Sequence, residues 1–161
     1  MGGSLGRGHS CTKETIMSSE AYAAGIIDGE GAIGIGHKSG SNSYHLLVQV
    51  SMKMPTQVPK WLFDNFGGHY GEYAQSKNAW GEGTIAKWSI HGSEAQEFIG
   101  LIVPHLLDKL DKAKMAIVFP IASSSHKGIA ETDMQQHIYE EMRKLQSKIG
   151  KGEHNGKTKL G

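Results

Sequence analysis

Nine residues, Ala23-Ala24-Gly25-Ile26-Ile27-Asp28-Gly29-Glu30-Gly31, constrain this chain more than any other stretch. The run from Ser18 to Asp28 reads as a short helix, with Ser18 and Ser19 as N-cap candidates. Ala21, Ala24, Gly25 and Asp28 recur at the i, i+3, i+4, i+7 spacing that defines one helix face. That face is nearly bare of side chains, so a second helix can approach closely, by the steric rule known from pairs of membrane helices. Tyr22, Ile26 and Ile27 point elsewhere and are expected to anchor the helix in its own core. At its end, Asp28 and Glu30 put two carboxylates at the negative pole of the helix dipole, where a cation is favoured. Magnesium is one candidate, since hard divalent ions take carboxylate and water oxygens. The alternative is a helix that ends in a glycine-rich turn with two solvated acids.

Gly29, Gly31 and Gly34 also spell G-x-G-x-x-G, the dinucleotide-binding fingerprint. That motif has to follow a strand and open a helix. Here a helix precedes it and Ala32 to His37 has an extended pattern, so a dinucleotide site is rejected.

The nine residues resemble the LAGLIDADG motif of homing endonucleases, with Ala23 in place of the first Leu, Gly29 of the second Ala and Glu30 of the final Asp. A match this short has force only if the rest of the chain agrees with it.

At 161 residues, one domain is expected, burying roughly two-thirds of the surface its unfolded chain exposes. It is assigned to residues 18–150, between a Gly- and Ser-rich flexible arm over 1–17 and a polar tail over 151–161. A single cysteine, Cys11, excludes an internal disulfide and a multi-thiolate zinc site, which favours a reducing, intracellular setting. No apolar run approaches the roughly 18 residues of a membrane span, and no secretory signal is visible. A net charge of +1 is weak for a nucleic-acid protein. The distribution of charge matters more than its sum, however, and nine histidines can add charge locally.

After the motif, Ala32 to Lys38 alternates, with Ile33 and Ile35 on one side. A polar turn over 38–43 leads to Tyr44–Lys53, where Leu46, Val48, Val50 and Met52 face inward and His45, Leu47, Gln49, Ser51 and Lys53 face outward. Pro55 to Phe66 returns to helical spacing around Val58, Trp61 and Leu62. A second hairpin follows, from about His69 to Ser76 and Thr84 to His91, with Ala86, Trp88 and Ile90 on its inner side. Ser93-Glu94-Ala95-Gln96 has the form of a capping box opening a helix that ends at Pro104. A further helix is expected from about His105 to Val118, with Leu106, Leu110, Ala113 and Ile117 as its stripe. A loop over 121–128 precedes a last helix carrying Met134, Ile138, Met142, Leu145 and Ile149 at heptad-like spacing.

This order is similar to the LAGLIDADG core, an α+β fold of α-β-β-α-β-β-α with an antiparallel DNA-binding sheet and extra C-terminal helices. The resemblance covers most of Ser18 to Pro120. It implies a site-specific endonuclease that cuts double-stranded DNA at a pseudo-palindrome of about 20 base pairs. One motif copy implies a homodimer joined through Ala21, Ala24, Gly25 and Asp28. Glu30, with the adjoining Gly29, is implied as the metal site, for Mg²⁺ or for Mn²⁺ or Ca²⁺ in its place. Asp28 is expected to cap or support the turn. A gap-free count puts the family's active-site lysine at Lys109, with Lys112 as second choice; without the family, Lys109 reads as a solvated lysine paired with Asp108 or Asp111. Where relatives often place a water-organising Gln, this chain has Met52, which Lys53 or Gln49 could replace in function. DNA contacts are assigned to Lys38, His45, Gln49, Ser51, Lys53, Lys77 and Lys87, since Lys suits guanine edges and Gln adenine edges. The competing readings are an ordinary half-solvated antiparallel sheet, and a non-cleaving descendant that binds an intron RNA as a maturase or binds DNA as a regulator.

Overall fold

The computed structural model describes residues 16–40, 43–76, 81–121 and 129–149. The expected arm (apart from Ile16 and Met17), the loop over 122–128, the tail over 151–161 and the DNA-contact candidate Lys77 lie outside the described residues. The elements are α1 (Ser19–Glu30), β1 (Gly31–His37), β2 (Tyr44–Lys53), α2 (Val58–Phe66), β3 (His69–Gln75), β4 (Gly83–His91), α3 (Gly92–Ile102), a 3₁₀ turn (Val103–His105), α4 (Leu110–Ile117) and α5 (Ile129–Ile149). Helix, hairpin, helix, hairpin and three helices therefore follow one another as the sequence pattern predicts. The four strands form one antiparallel sheet in the order β1-β2-β4-β3.

Alternation in the strands produces two unlike sheet faces. Ile33 pairs with Val48 and Val48 with Ile90; one step along, Val50 pairs with Trp88. These side chains are buried, together with Leu46 and Ala86, under α1, α2 and α3. Trp88 is the largest of them and donates its indole N–H to the Gly67 carbonyl at 2.8 Å, so the one polar atom it brings inside is satisfied. Phe98 on α3 meets Trp88 edge to face at 5.2 Å and Phe66 on α2 at 5.0 Å, which ties both helices to the sheet.

Helix α1 begins where expected: the Ser18 side chain accepts from the Ala21 N–H at 3.1 Å. Its faces are not distributed as expected. Ala23, Ala24 and Ile27 are completely buried, whereas Tyr22 stands 40% exposed, packed edge to face on Trp61 at 4.7 Å. Ala24 is thus a core residue and is corrected from the bare stripe; the open face runs through Tyr22, Gly25 and Gly29. Small residues on all sides of the helix left periodicity without a contrast that could choose the face. Gly31 ends the helix for a steric reason: a Cβ there would stand 2.7 Å from Ile27 Cα, so the chain could not turn directly from α1 into β1.

Three other boundaries move. Helix α2 starts at Val58, three residues after Pro55, because Thr56 accepts the Val58 N–H at 3.3 Å and holds the entry as a turn. The capping box does not form: His91 is the N-cap of α3, and no side chain caps it. Gln96 instead donates to the carbonyls of Ala116, Ile117 and Phe119 at 3.2, 2.8 and 3.0 Å, closing the end of α4. The helix expected from His105 starts only at Leu110, and Ala113 and Ala116 fill its buried side while Ile117 is exposed. On α5, Gln135, Ile138 and Met142 make the buried stripe, and Met134 is exposed; the Gln135 amide donates to the Pro120 carbonyl at 2.8 Å, while its Oε1 is buried without a partner among the described residues. No helix among the described residues is long and apolar enough to cross a membrane.

Candidate active site at the foot of the first helix

The break between the 3₁₀ turn and α4 is what builds the site. Asp28, in the last turn of α1, accepts the Leu107 N–H at 2.8 Å through one carboxylate oxygen and the Lys109 N–H at 3.0 Å through the other. Those two amides belong to the connector ahead of α4, which would otherwise present unsatisfied N–H groups at a helix start. Asp28 therefore supports the turn, as expected, but supports a turn 79 residues away rather than its own.

With the connector fixed, the Lys109 side chain folds back onto α1. Its ammonium donates to the carbonyls of Ile27 and Asp28, both at 2.6 Å. The cation expected at the negative pole of α1 is thus present and belongs to the protein. The reading of Lys109 as a solvated partner of Asp108 or Asp111 gives way to this arrangement. Burial pushes the Lys109 ammonium below its ordinary value, Asp28 opposes that shift, Lys112 adds to it, and Asp108 and Glu30 oppose it. Glu30, the last residue of α1, is exposed, as is Gly29 before it. An acid open to solvent and a partly buried ammonium therefore stand at the end of α1, where it passes into β1.

Met52 occupies the inward position after Val50, and Val50 is the partner of Gly31, so Met52 lies just beyond the end of β1. It packs against the core and accepts a weak hydrogen bond from the Thr56 hydroxyl at 3.9 Å. Neither Lys53 nor Gln49 can take its place from the same side, because both belong to the outward set.

That outward set is the second half of the site. His45, Gln49, Ser51 and Lys53 from β2 stand there with Lys87 and Ser89 from β4 and His69 and Tyr73 from β3. Only one acid, Glu72, occurs in the four strands, and it pairs with inward-facing Ala86. The outward face thus carries cations and hydrogen-bonding groups with no carboxylate from its own strands, which resolves how a chain of net charge +1 can present a basic surface. Lys38 is exposed just past β1, with its backbone N–H on the Ser43 carbonyl. His91, which was not among the sequence candidates, completes the face; its place at a strand end hid it from a count of alternating positions.

Among the described residues no three His, Cys, Asp or Glu side chains are grouped as a metal cage. Both oxygens of Asp28 are engaged, which leaves the Glu30 carboxylate and the Gly29 carbonyl. Such a set fits a hard ion held jointly with phosphate oxygens and waters, and does not fit a self-contained site.

No protein-family model matches the chain, and no curated protein does. Solved structures do. The archaeal intron-encoded homing endonuclease I-Vdi141I, complexed with DNA, matches with a TM-score of 0.58 at 14% identity, over 78% of this chain and 82% of that one. The group I intron-encoded homing endonuclease I-CeuI, complexed with DNA, matches at 0.53 and 13% identity, over 83% and 71%. The homing endonuclease I-CvuI, in complex with its target and calcium, matches at 0.51 and 16% identity, over 81% and 94%. With its motif on α1 and its hairpins in the order β1-β2-β4-β3, this chain has the LAGLIDADG homing endonuclease fold.

Proposed function

We propose that the protein is a site-specific endonuclease that acts on double-stranded DNA as a homodimer and requires a divalent cation such as Mg²⁺. The observation that carries this reading is the convergence of exposed Glu30 and the buried-side ammonium of Lys109 at the edge of an acid-free sheet face. The sheet face binds and orients the duplex: a two-stranded ribbon fits the major groove, and Lys38, His45, Gln49, Ser51, Lys53 and Lys87 supply base-edge and phosphate contacts. Lys77 belongs to the same assignment by sequence position.

Glu30, with the Gly29 carbonyl, would hold the cation, which supplies Lewis-acid stabilisation of phosphoryl oxygens. Lys109 has three N–H donors, and two are engaged by Ile27 and Asp28, which leaves one for a phosphate oxygen. Asp28 acts by position, setting the connector that carries Lys109. Two copies are required because one chain offers a single Glu30 for two strands of DNA. The proposed contact is the open face of α1 through Gly25 and Gly29, with half-buried Ala21 and Asp28 at its margin; Ala24 contributes from beneath by keeping the helix close to its own core.

The test is cleavage selection on a randomised duplex library with Mg²⁺, run with wild type and Glu30→Gln. Double-strand breaks at a pseudo-palindrome from wild type alone support the reading. Enrichment of a sequence by both proteins with no cut from either points to a binding descendant, and binding of structured RNA in preference to duplex DNA points to a maturase.

A further inference from the structure

Three of the nine histidines meet on the outward sheet face. His45 on β2 and His91 on β4 have ring centroids 6.2 Å apart, and His91 and His69 on β3 are 6.0 Å apart. The register explains the row: His91 pairs with Leu47, two residues from His45, while His69 pairs with Ser89, two residues from His91. Each step is thus a diagonal neighbour across adjacent strands, within reach of ring side chains. The geometry points to a DNA-contact row of His45, His91 and His69 in which the central His91 takes up a proton when the duplex binds, so that acidification tightens DNA binding. This inference rests on the proposed DNA-facing role of the sheet.

Two features set the row apart from scattered surface histidines. The neighbouring strand is shaped to it: β1 has Gly36 opposite His45, and a side chain there would collide with the imidazole. Among the described residues of the strands, the charged and titratable neighbours on the face, Lys87 on β4 and Lys53 on β2 with Tyr73 on β3, include no carboxylate to stabilise an imidazolium. His69 and Lys87 also line one open cleft of about 400 Å³ with Ser89 and Tyr73, so the row borders space that a backbone can enter. Burial, followed by the like charges of His45, His69 and Lys87, holds His91 below the ordinary histidine value in the free protein. His91 Nε2 stands 3.3 Å from the Ser89 hydroxyl, which holds the ring on the face. A phosphate backbone laid over the three rings reverses the balance, because it supplies the negative charge that the strands withhold.

The test is the affinity for a mixed-sequence duplex of about 30 base pairs, long enough for two half-sites a helical turn apart, measured by fluorescence anisotropy at one low salt concentration. Between about pH 8 and about pH 6 the wild type is expected to tighten about tenfold, and the His45→Gln/His69→Gln/His91→Gln variant to change less than about twofold. Calorimetry of wild type in two buffers of different ionisation enthalpy gives the proton uptake independently of any variant. Duplex bound with pH-independent affinity, or a slope that survives in the triple variant, overturns the inference and leaves the DNA reading standing. A protein that binds no duplex at any pH overturns both.

Discussion

The two faces of the β-sheet are made from alternate residues of the same strands and obey different constraints. On β2, Leu46, Val48 and Val50 are completely buried, while Leu47 and Gln49 between them are half-buried and His45, Ser51 and Lys53 on either side are exposed. The inner face is explained by the chain itself: each aliphatic side chain there is covered by helices, and removing it from water stabilises the fold by roughly 1.5–3 kcal/mol. The outer face has no such account within the chain. A solvated antiparallel sheet gains nothing from lacking carboxylates, and mixing both signs of charge would serve solubility better. The difference teaches that packing within the chain accounts for the inner face and leaves the outer one unexplained, which is where the proposed duplex contact would act.

The largest expected effect breaks the inner face. Val48→Asp puts a charge where no partner exists, and about 4–5 kcal/mol or more of stability should be lost, read as a collapse of the denaturant midpoint. A variant that stays folded would show that the inner face is less dry than the structure makes it. Next is the corner between the faces: Glu30→Gln should lower Mg²⁺-dependent cleavage by about a thousandfold with the duplex still bound, measured in single-turnover assays beside binding isotherms. Asp28→Asn removes the charge that holds Leu107 and Lys109 and should cost about 1–3 kcal/mol in chemical denaturation, with cleavage lowered as well. If cleavage stays unchanged there, the connector does not position Lys109.

An acid on the outer face is the counterpart of Val48→Asp. Ser51→Glu should leave stability within about 0.5 kcal/mol of wild type. It should weaken DNA binding about tenfold and uniformly across sequences, a pattern seen by comparing several duplexes at one salt concentration. The smallest effect belongs to His91. Its folded value lies below the ordinary 6.5, so between the two the unfolded chain binds more protons than the native one. Stability without DNA should therefore rise with pH across that window and fall on acidification, and His91→Gln should flatten the profile in thermal melts. The sign is opposite to that expected for DNA affinity, so the two measurements separate a folding effect from a binding effect.

Much of the scaffold was legible. Strand positions and their inward residues followed from strict alternation, because a shift of one residue would have exposed the whole aliphatic set. The dipole argument singled out Glu30 together with Asp28, and only the resemblance ranked Glu30 first; Lys109 came from a gap-free count on that resemblance, and the residues themselves left it as a solvated lysine. What failed has one cause in each case. Gln96 satisfies the capping-box pattern, yet its amide is drawn to three carbonyls at the end of α4, some 20 residues on, where the gain in hydrogen bonds is greater. Ala24 matches a bare stripe, yet the core side of α1 is also made of alanine.

The sequence by itself determined the order of elements, the two-faced strands and a helix whose acidic end calls for a cation, because each depends on neighbours within a few residues. The tertiary structure alone decided that the cation is Lys109, that Asp28 holds a connector from the far end of the chain, and that three histidines from three strands stand in one row. Those contacts join residues tens of positions apart, and a hydrogen bond or ring contact at such separation depends on how the helices and strands pack, which no local pattern encodes.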